Sequence, residues 1–224
     1  MARQSKPEKA NVAAPARAAA RPSKLLCRAF FNRDPRIVSR ELLGKLIVRR
    51  EGKQQIAGRI VEVEAYLGQD DLAAHAAAGH TERNSVLFGP PGHAYVYFIY
   101  GVHHCLNISC LPSGEAGCIL IRALEPVSGL EKMAEARGVA DFDAESRRAL
   151  RKLTSGPGRL CEALGITRKR DNGKDMVSTK SDLQVIDDGY KVQEIAVTPR
   201  IGITKSVEMP LRYVIAGNQF VSRR

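Results

Sequence analysis

The residues best suited to chemistry sit on one stretch that reads as a β-strand, Ile56 to Leu67, and in the aromatic and imidazole-rich segment that follows it. Side chains alternate across a strand, so Glu62, Glu64 and Tyr66 share one face while Val61, Val63 and Ala65 share the other. The apolar set is a core face. The carboxylate face either serves as acid or base in a hydrolysis or is simply solvated, and spacing alone leaves both open. All five histidines, His75, His80, His93, His103 and His104, fall in the window that follows. Four of the six tyrosines, Tyr66, Tyr95, Tyr97 and Tyr100, fall between Tyr66 and Tyr100. That window is where a site is expected.

The segment from Gly92 to Ser109 reads as a β-hairpin that turns at Tyr100-Gly101, where glycine tolerates positive φ. Tyr97 lies within the strand, where its ring can wall a pocket. Tyr100 lies at the tip, where it either projects as a wedge between stacked bases or folds back onto the sheet. The histidines and the five cysteines form neither an H-x-x-x-H helix pair nor a C-x-x-C, and neighbours such as His103 and His104 leave a strand on opposite faces. No metal and no cofactor are expected. An odd cysteine number without a disulfide pattern fits a reducing compartment, and Cys105, Cys110 and Cys118 read as buried strand residues.

These residues need elements to hold them. Asp34-Pro35 can cap and begin a helix near 34–45. Strands are expected at Leu46 to Arg50, Ile56 to Leu67, Ala94 to Tyr100, His104 to Cys110 and Cys118 to Leu124. Gly129 to Arg137 and Ala144 to Leu153 look helical, and Ser155 can cap a third helix through Leu164 that Gly165 ends. A loop at 168–182 and closing strands at Tyr190 to Thr198 and Leu211 to Ile215 complete the reading. The expected fold is α+β: a single domain with a curved, mostly antiparallel sheet, peripheral helices and a protruding β-hairpin. Gly156-Pro157-Gly158 with Arg159 either offers backbone N–H groups to a phosphate or is a plain helix start.

The formal charge of +11 points to a polyanionic partner, nucleic acid or an anionic membrane surface. No apolar run approaches the roughly 20 residues that span a bilayer. Residues 1–24 carry six cations against Glu8 alone, a net +5, and almost no bulky apolar side chains. They read as a disordered basic tail ahead of a domain over 25–224. From the residues alone, a noncatalytic module binding distorted duplex DNA remains an alternative to an enzyme.

Several motifs then occur in order: Gly58-Arg59-Ile60-Val61-Glu62-Val63-Glu64-Ala65-Tyr66-Leu67-Gly68, Ala73-Ala74-His75, Tyr95-Val96-Tyr97-Phe98-Ile99-Tyr100-Gly101, Asn107-Ile108-Ser109 and Leu120-Ile121-Arg122-Ala123-Leu124-Glu125-Pro126. Together with Ser155-Gly156-Pro157 they resemble the signatures of the 3-methyladenine (alkyladenine) DNA glycosylase family over about residues 36–215.

The resemblance implies a monofunctional hydrolase of base excision repair. It would flip an alkylated or deaminated purine out of duplex DNA and cut its N-glycosidic bond to leave an abasic site. It implies Glu64 as the base that activates water and Arg122 as the group that holds the flipped nucleotide near its phosphate. Tyr66, His75 and Tyr97 match the residues that sandwich the base. Asn107 matches the one that obstructs the exocyclic amine of guanine, and Tyr100 the one that fills the vacated stack. Departures fall at Val102-His103 after the hairpin turn and at Ser85-Val86-Leu87, which bear on lesion range and DNA affinity. The implied partner is duplex DNA with damaged purines, met by a monomer with no membrane involved. The compartment would be the cytoplasm and nucleoid of a bacterium or the nucleus of a eukaryote.

Overall fold

The structure is a computed structural model that describes residues 23–222. Of the expected basic tail, residues 1–22 lie outside the described residues, and Lys24 already pairs in a strand, β1 (Lys24–Leu25). A short helix α1 (Arg28–Phe31) leads to α2 (Pro35–Leu42), which begins as the sequence suggests: the Asp34 carboxylate accepts the Arg36 N–H at 2.7 Å and Pro35 opens the helix. It ends earlier than expected, because Leu43 is extended and Gly44, at φ 83°, turns the chain into β2 (Leu46–Glu51). From there β3 (Gln54–Tyr66), β4 (Ala94–Ile99), β5 (His103–Cys110) and β6 (Gly117–Ser128) follow. Short 3₁₀ turns at His75–Ala78 and Glu82–Phe88 occupy the stretch between β3 and β4.

The expected helical insertion follows β6 as α3 (Leu130–Ala136), α4 (Arg147–Thr154) and α5 (Pro157–Ala163). Two expectations fail here. Ser155 is not the cap of α5 but the C-cap of α4, and Gly156 stands at the start of α5 with no side-chain cap. The expected loop at 168–182 opens with a helical turn, α6 (Arg168–Asp171), because the Thr167 hydroxyl accepts the Arg170 N–H. The chain closes with β7 (Leu183–Asp187), which the sequence reading had not separated, β8 (Ile195–Thr198) and β9 (Arg212–Ile215). Tyr190 to Glu194, expected as strand, is outside β8; Tyr190 instead stacks beneath the Arg59 guanidinium at 4.1 Å.

Among the described residues nine strands form one antiparallel sheet, ordered β1-β7-β2-β3-β6-β5-β4 with β9 and β8 branching from β3. The long strand β3 is its spine. One edge of β3 pairs with β6 along most of its length, and the other pairs first with β2 and then with β9. Register irregularities against β6 at Ala57/Gly58, Ile60/Glu62 and Glu62/Val63 bend the strand where its carboxylates lie. Val61, Val63 and Ala65 pack in one core with Ile119, Ile121, Leu106 and the helical Leu153 and Leu160. The other face is not solvated: Glu62 and Glu64 are both 0% exposed.

Immediately after β3, Gly68 lies buried at φ 113°, and a Cβ there would meet the Ala116 carbonyl at 2.3 Å. Close approach and backbone conformation both demand glycine. Gly68→Ala is expected to destabilise the protein by about 2–4 kcal/mol, read as a lowered urea midpoint at unchanged m.

Candidate active site

Cross-strand partners in an antiparallel sheet project to the same side. The register places Tyr95 opposite Asn107, Asn107 opposite Leu120, Leu120 opposite Glu64 and Glu64 opposite Arg212. One lateral row across five strands thus brings together residues far apart in the sequence. Two-residue steps along the same strands add Tyr97, Arg122, Glu62 and Tyr66 to that face. Over it lies a cavity of about 560 Å³, lined among others by Tyr66, His75, Tyr97, Asn107, Tyr100 and Arg122. Its size is that of a typical small-molecule site.

Glu64 lies beneath this cavity and touches three groups that line it. Its Oε1 accepts the Ile201 N–H at 2.8 Å and faces Arg122 Nη1 at 3.1 Å, and its Oε2 accepts the Tyr66 hydroxyl at 3.0 Å. Burial pushes the Glu64 carboxyl above its ordinary value of 4.5, against the pull of Arg122, the Ile201 N–H and the Tyr66 hydroxyl toward the anion. Glu62, two residues away, is opposite in character. Burial acts on it too, but the Ser222 N–H, Arg212 and Arg122 outweigh it and hold the carboxyl below 4.5. Its Oε1 takes Arg122 Nε at 2.9 Å and Arg212 Nε at 2.8 Å, and its Oε2 takes the Ser222 N–H at 2.6 Å. Two neighbouring carboxyls are thus displaced in opposite directions, Glu62 toward the anion and Glu64 toward the protonated form.

The walls are aromatic. His75 stands edge-on to Tyr97 with centroids 4.6 Å apart, and its Nδ1 lies 2.8 Å from the Tyr95 hydroxyl. Burial, then Arg83, lowers the His75 pKa, which keeps the ring neutral near pH 7. Burial raises the hydroxyl of Tyr97, and that of Tyr95 to about 12, so both remain protonated. The His75 carbonyl accepts Asn84 Nδ2 at 3.0 Å, which anchors the turn that presents the ring. Asn107 is oriented by donating Nδ2 to the Tyr95 carbonyl at 3.2 Å.

Tyr100 is 81% exposed at the tip of the β4-β5 hairpin, with φ 55° followed by Gly101 at φ 70°, and the Val102 N–H returns to the Ile99 carbonyl at 3.3 Å. This left-handed pair makes the primed turn that a twisted hairpin favours and leaves the ring projecting, not folded back. Of the other histidines, His103 lines the cavity as well and meets Glu162 at 3.1 Å, whereas His104 packs on Phe98, His80 on Phe88, and His93 lies 2.8 Å from the Pro90 carbonyl.

Of the seven side chains singled out from the sequence, Tyr66, His75, Tyr97, Tyr100, Asn107 and Arg122 line one cavity, and Glu64 is buried behind it in contact with Tyr66 and Arg122. The reading missed Tyr95, whose shared parity with Tyr97 was visible in the strand. It also missed Ile201, a backbone donor with no side-chain signature. The turn Ser155, Pro157, Gly158 and Arg159 lines the cavity as well.

A family model described as methylpurine-DNA glycosylase matches residues 29–219. A protein of Koribacter versatilis named "Putative 3-methyladenine DNA glycosylase" is 66% identical over 197 residues, covering 88% of this chain and 92% of its own length. Proteins of the same name from Burkholderia cenocepacia and Methanoculleus marisnigri are 45% identical over 202 residues and 46% identical over 200. These cover 90% and 88% of this chain, and 92% and 97% of their own lengths.

Arg122 is shared between two buried carboxylates, so its removal should be felt at both. Arg122→Met is expected to cost about 3–5 kcal/mol of stability by leaving buried charge unpaired. It should also raise the titration of Glu64 further, read from carboxyl carbon chemical shifts against pH.

Proposed function

The chain belongs to the methylpurine-DNA glycosylase family, and we propose that it flips a damaged purine into the aromatic cavity and uses Glu64 to direct water at the N-glycosidic bond. It is a DNA glycosylase, a hydrolase of N-glycosyl bonds that acts in DNA repair. The observation that carries the finer reading is the Glu64 carboxylate. It is buried beneath a cavity with π-faced walls, and its proton affinity is raised toward that of a working base.

In this reading Tyr66, His75 and Tyr97 receive the extruded base, whose stacking offsets part of the few kcal/mol that flipping costs. Alkylated purines that carry positive charge gain further from tyrosine faces. The neutral state of His75 avoids repelling such a base. As the bond breaks, the sugar acquires oxocarbenium character beside Glu64, whose anion both stabilises that charge and takes the proton of the attacking water. A lone pair of Oε2 beyond the Tyr66 hydroxyl is the natural seat for that proton's hydrogen bond. Arg122, held between Glu62 and Glu64, faces the cavity with a guanidinium suited to the phosphate of the flipped nucleotide. Among the described residues no lysine lines the cavity, which supports hydrolysis to an abasic site over a Schiff-base route. The proposed working unit is a monomer.

Single-turnover release from duplexes carrying one alkylated purine, hypoxanthine or ethenoadenine tests this reading. Glu64→Gln is expected to lower release by about a hundredfold or more. A parent protein that releases none of these bases, or a fully active Glu64→Gln, would refute the mechanism. The parent rate is also expected to fall with acid as Glu64 takes up its proton. Because the Glu64 pKa is raised, this limb should lie above 4.5, and it should vanish from any residual activity of Glu64→Gln. Tyr100→Ala is expected to weaken duplex binding by about 1–3 kcal/mol while leaving Tyr66, His75 and Tyr97 in place, measured as the dissociation constant for lesion-bearing duplex.

A further inference from the structure

A second buried ion pair lies behind Tyr66. Arg200 and Asp71 are both 0% exposed along their side chains and meet in a bidentate pair, with Nη1 2.5 Å and Nη2 2.8 Å from the two carboxylate oxygens. The Arg200 guanidinium carbon lies 4.6 Å from the centroid of the Tyr66 ring. Tyr66 lines the cavity and Arg200 does not, so the cation occupies the side of the ring turned away from any bound base. It is locked there. Nη1 also donates to the Ala65 carbonyl at 3.0 Å, and Asp71 accepts the N–H groups of Leu67 at 3.2 Å and Ala73 at 3.1 Å. Nε is buried with no hydrogen-bond partner among the described residues, so part of the guanidinium's positive edge is not spent on an acceptor.

Resting on the base-pocket reading above, we infer that Arg200 is a specificity-determining positioning residue, whose cation behind Tyr66 narrows the pocket's preference for cationic over neutral lesions. A tyrosine face attracts a cation through its quadrupole. A guanidinium already seated on one face draws π density toward itself, and its charge acts through the ring on whatever stacks opposite. A base with a formal positive charge, such as 7-methylguanine in DNA, therefore gains less from Tyr66 than from an unbacked ring. A neutral base such as hypoxanthine forgoes nothing of that kind. The arrangement would serve an enzyme that accepts both classes, by keeping the cationic lesion from dominating the pocket.

The test compares affinities in a Glu64→Gln background, where release does not interfere, using duplexes of one sequence containing 7-methylguanine, hypoxanthine or no lesion. Asp71→Asn/Arg200→Gln removes both charges while retaining amide hydrogen bonds. It is expected to shift the affinity ratio toward 7-methylguanine by about three- to tenfold. Arg200→Lys keeps the ion pair but replaces the flat cation with a compact ammonium, and should move the ratio in the same direction by less. If the double variant does not fold, the lysine variant carries the test. A role confined to holding Tyr66 in place would weaken both lesions equally, so an unchanged ratio in a folded variant overturns the inference, as does a background that prefers neither lesion to undamaged duplex. Release of either base by the parent, measured alongside, keeps the glycosylase reading separate: it can stand while the ratio refutes the role of Arg200.

Discussion

The site depends on a layer of buried charge. Glu62, Glu64, Arg122 and Arg212 stand on one face of the sheet with almost no access to water. Desolvating four ions is tolerable only if each meets partners of opposite charge and fills its remaining hydrogen-bonding positions. Arg122 bridges the two carboxylates, through Nε to Glu62 and Nη1 to Glu64, and Arg212 goes to Glu62. The sharing is unequal. Glu62 holds two guanidinium donors and the Ser222 N–H, whereas Glu64 has one guanidinium, one amide and one hydroxyl. From that inequality comes the opposite displacement of the two carboxyls, on which the proposed role of Glu64 as a base rests. A symmetric pairing would leave two inert anions.

The sheet makes this inequality possible because β3 is flanked on both edges by strands that bring arginine. β6 supplies Arg122 from one side and β9 supplies Arg212 from the other, while the irregular register near Glu62 admits both guanidiniums to one carboxylate. The same lateral row that sets Glu64 opposite Leu120 continues to Asn107 and Tyr95, so the position of the pocket wall relative to the carboxylate is fixed by backbone hydrogen bonds. Loops contribute the parts that a sheet cannot. The Ile201 N–H and the His75 ring arrive from segments outside the sheet, secured by the buried pair of Asp71 with Arg200 and by the part-buried bond from Asn84 to the His75 carbonyl.

Much of the fold was legible because its signals are local. Period-two alternation marked β3 through β6, Asp34-Pro35 marked the start of α2, and Tyr100-Gly101 marked the hairpin turn. The short elements were not. The strand β7 falls between the expected loop at 168–182 and the strand expected from Tyr190, in a stretch with no assigned element, and β1 has too few residues for any periodicity. The burial of Glu62 and Glu64 was likewise hidden, since their neutralising partners lie 60 and 150 residues away along the chain and no window of sequence shows them together. Tyr95 could have been found from its parity with Tyr97. Ile201 could not, because any residue with an N–H would supply the same bond.

Under the proposed mechanism the arrangement also separates what reads the base from what breaks the bond. The groups that line the cavity walls, Tyr66, Tyr97 and His75, are uncharged near neutral pH: the phenols are neutral there at their ordinary value and are pushed further up, and the His75 ring is pushed below 6.5. The charged pair comprises Arg122, which also lines the cavity, and Glu64, which lies behind it 3.1 Å from the guanidinium. A purine entering such a site would meet polarisable faces that respond to its electron deficiency. In the proposed mechanism the anion is thereby reserved for the sugar, where positive charge develops only as the bond opens. Stabilisation that appears chiefly in the transition state accelerates the chemical step, whereas a carboxylate set against the base itself would tighten the ground state and slow departure of the leaving group. Burying Glu64 behind Tyr66, with the tyrosine hydroxyl bonded to it, is the geometry that keeps those two functions apart.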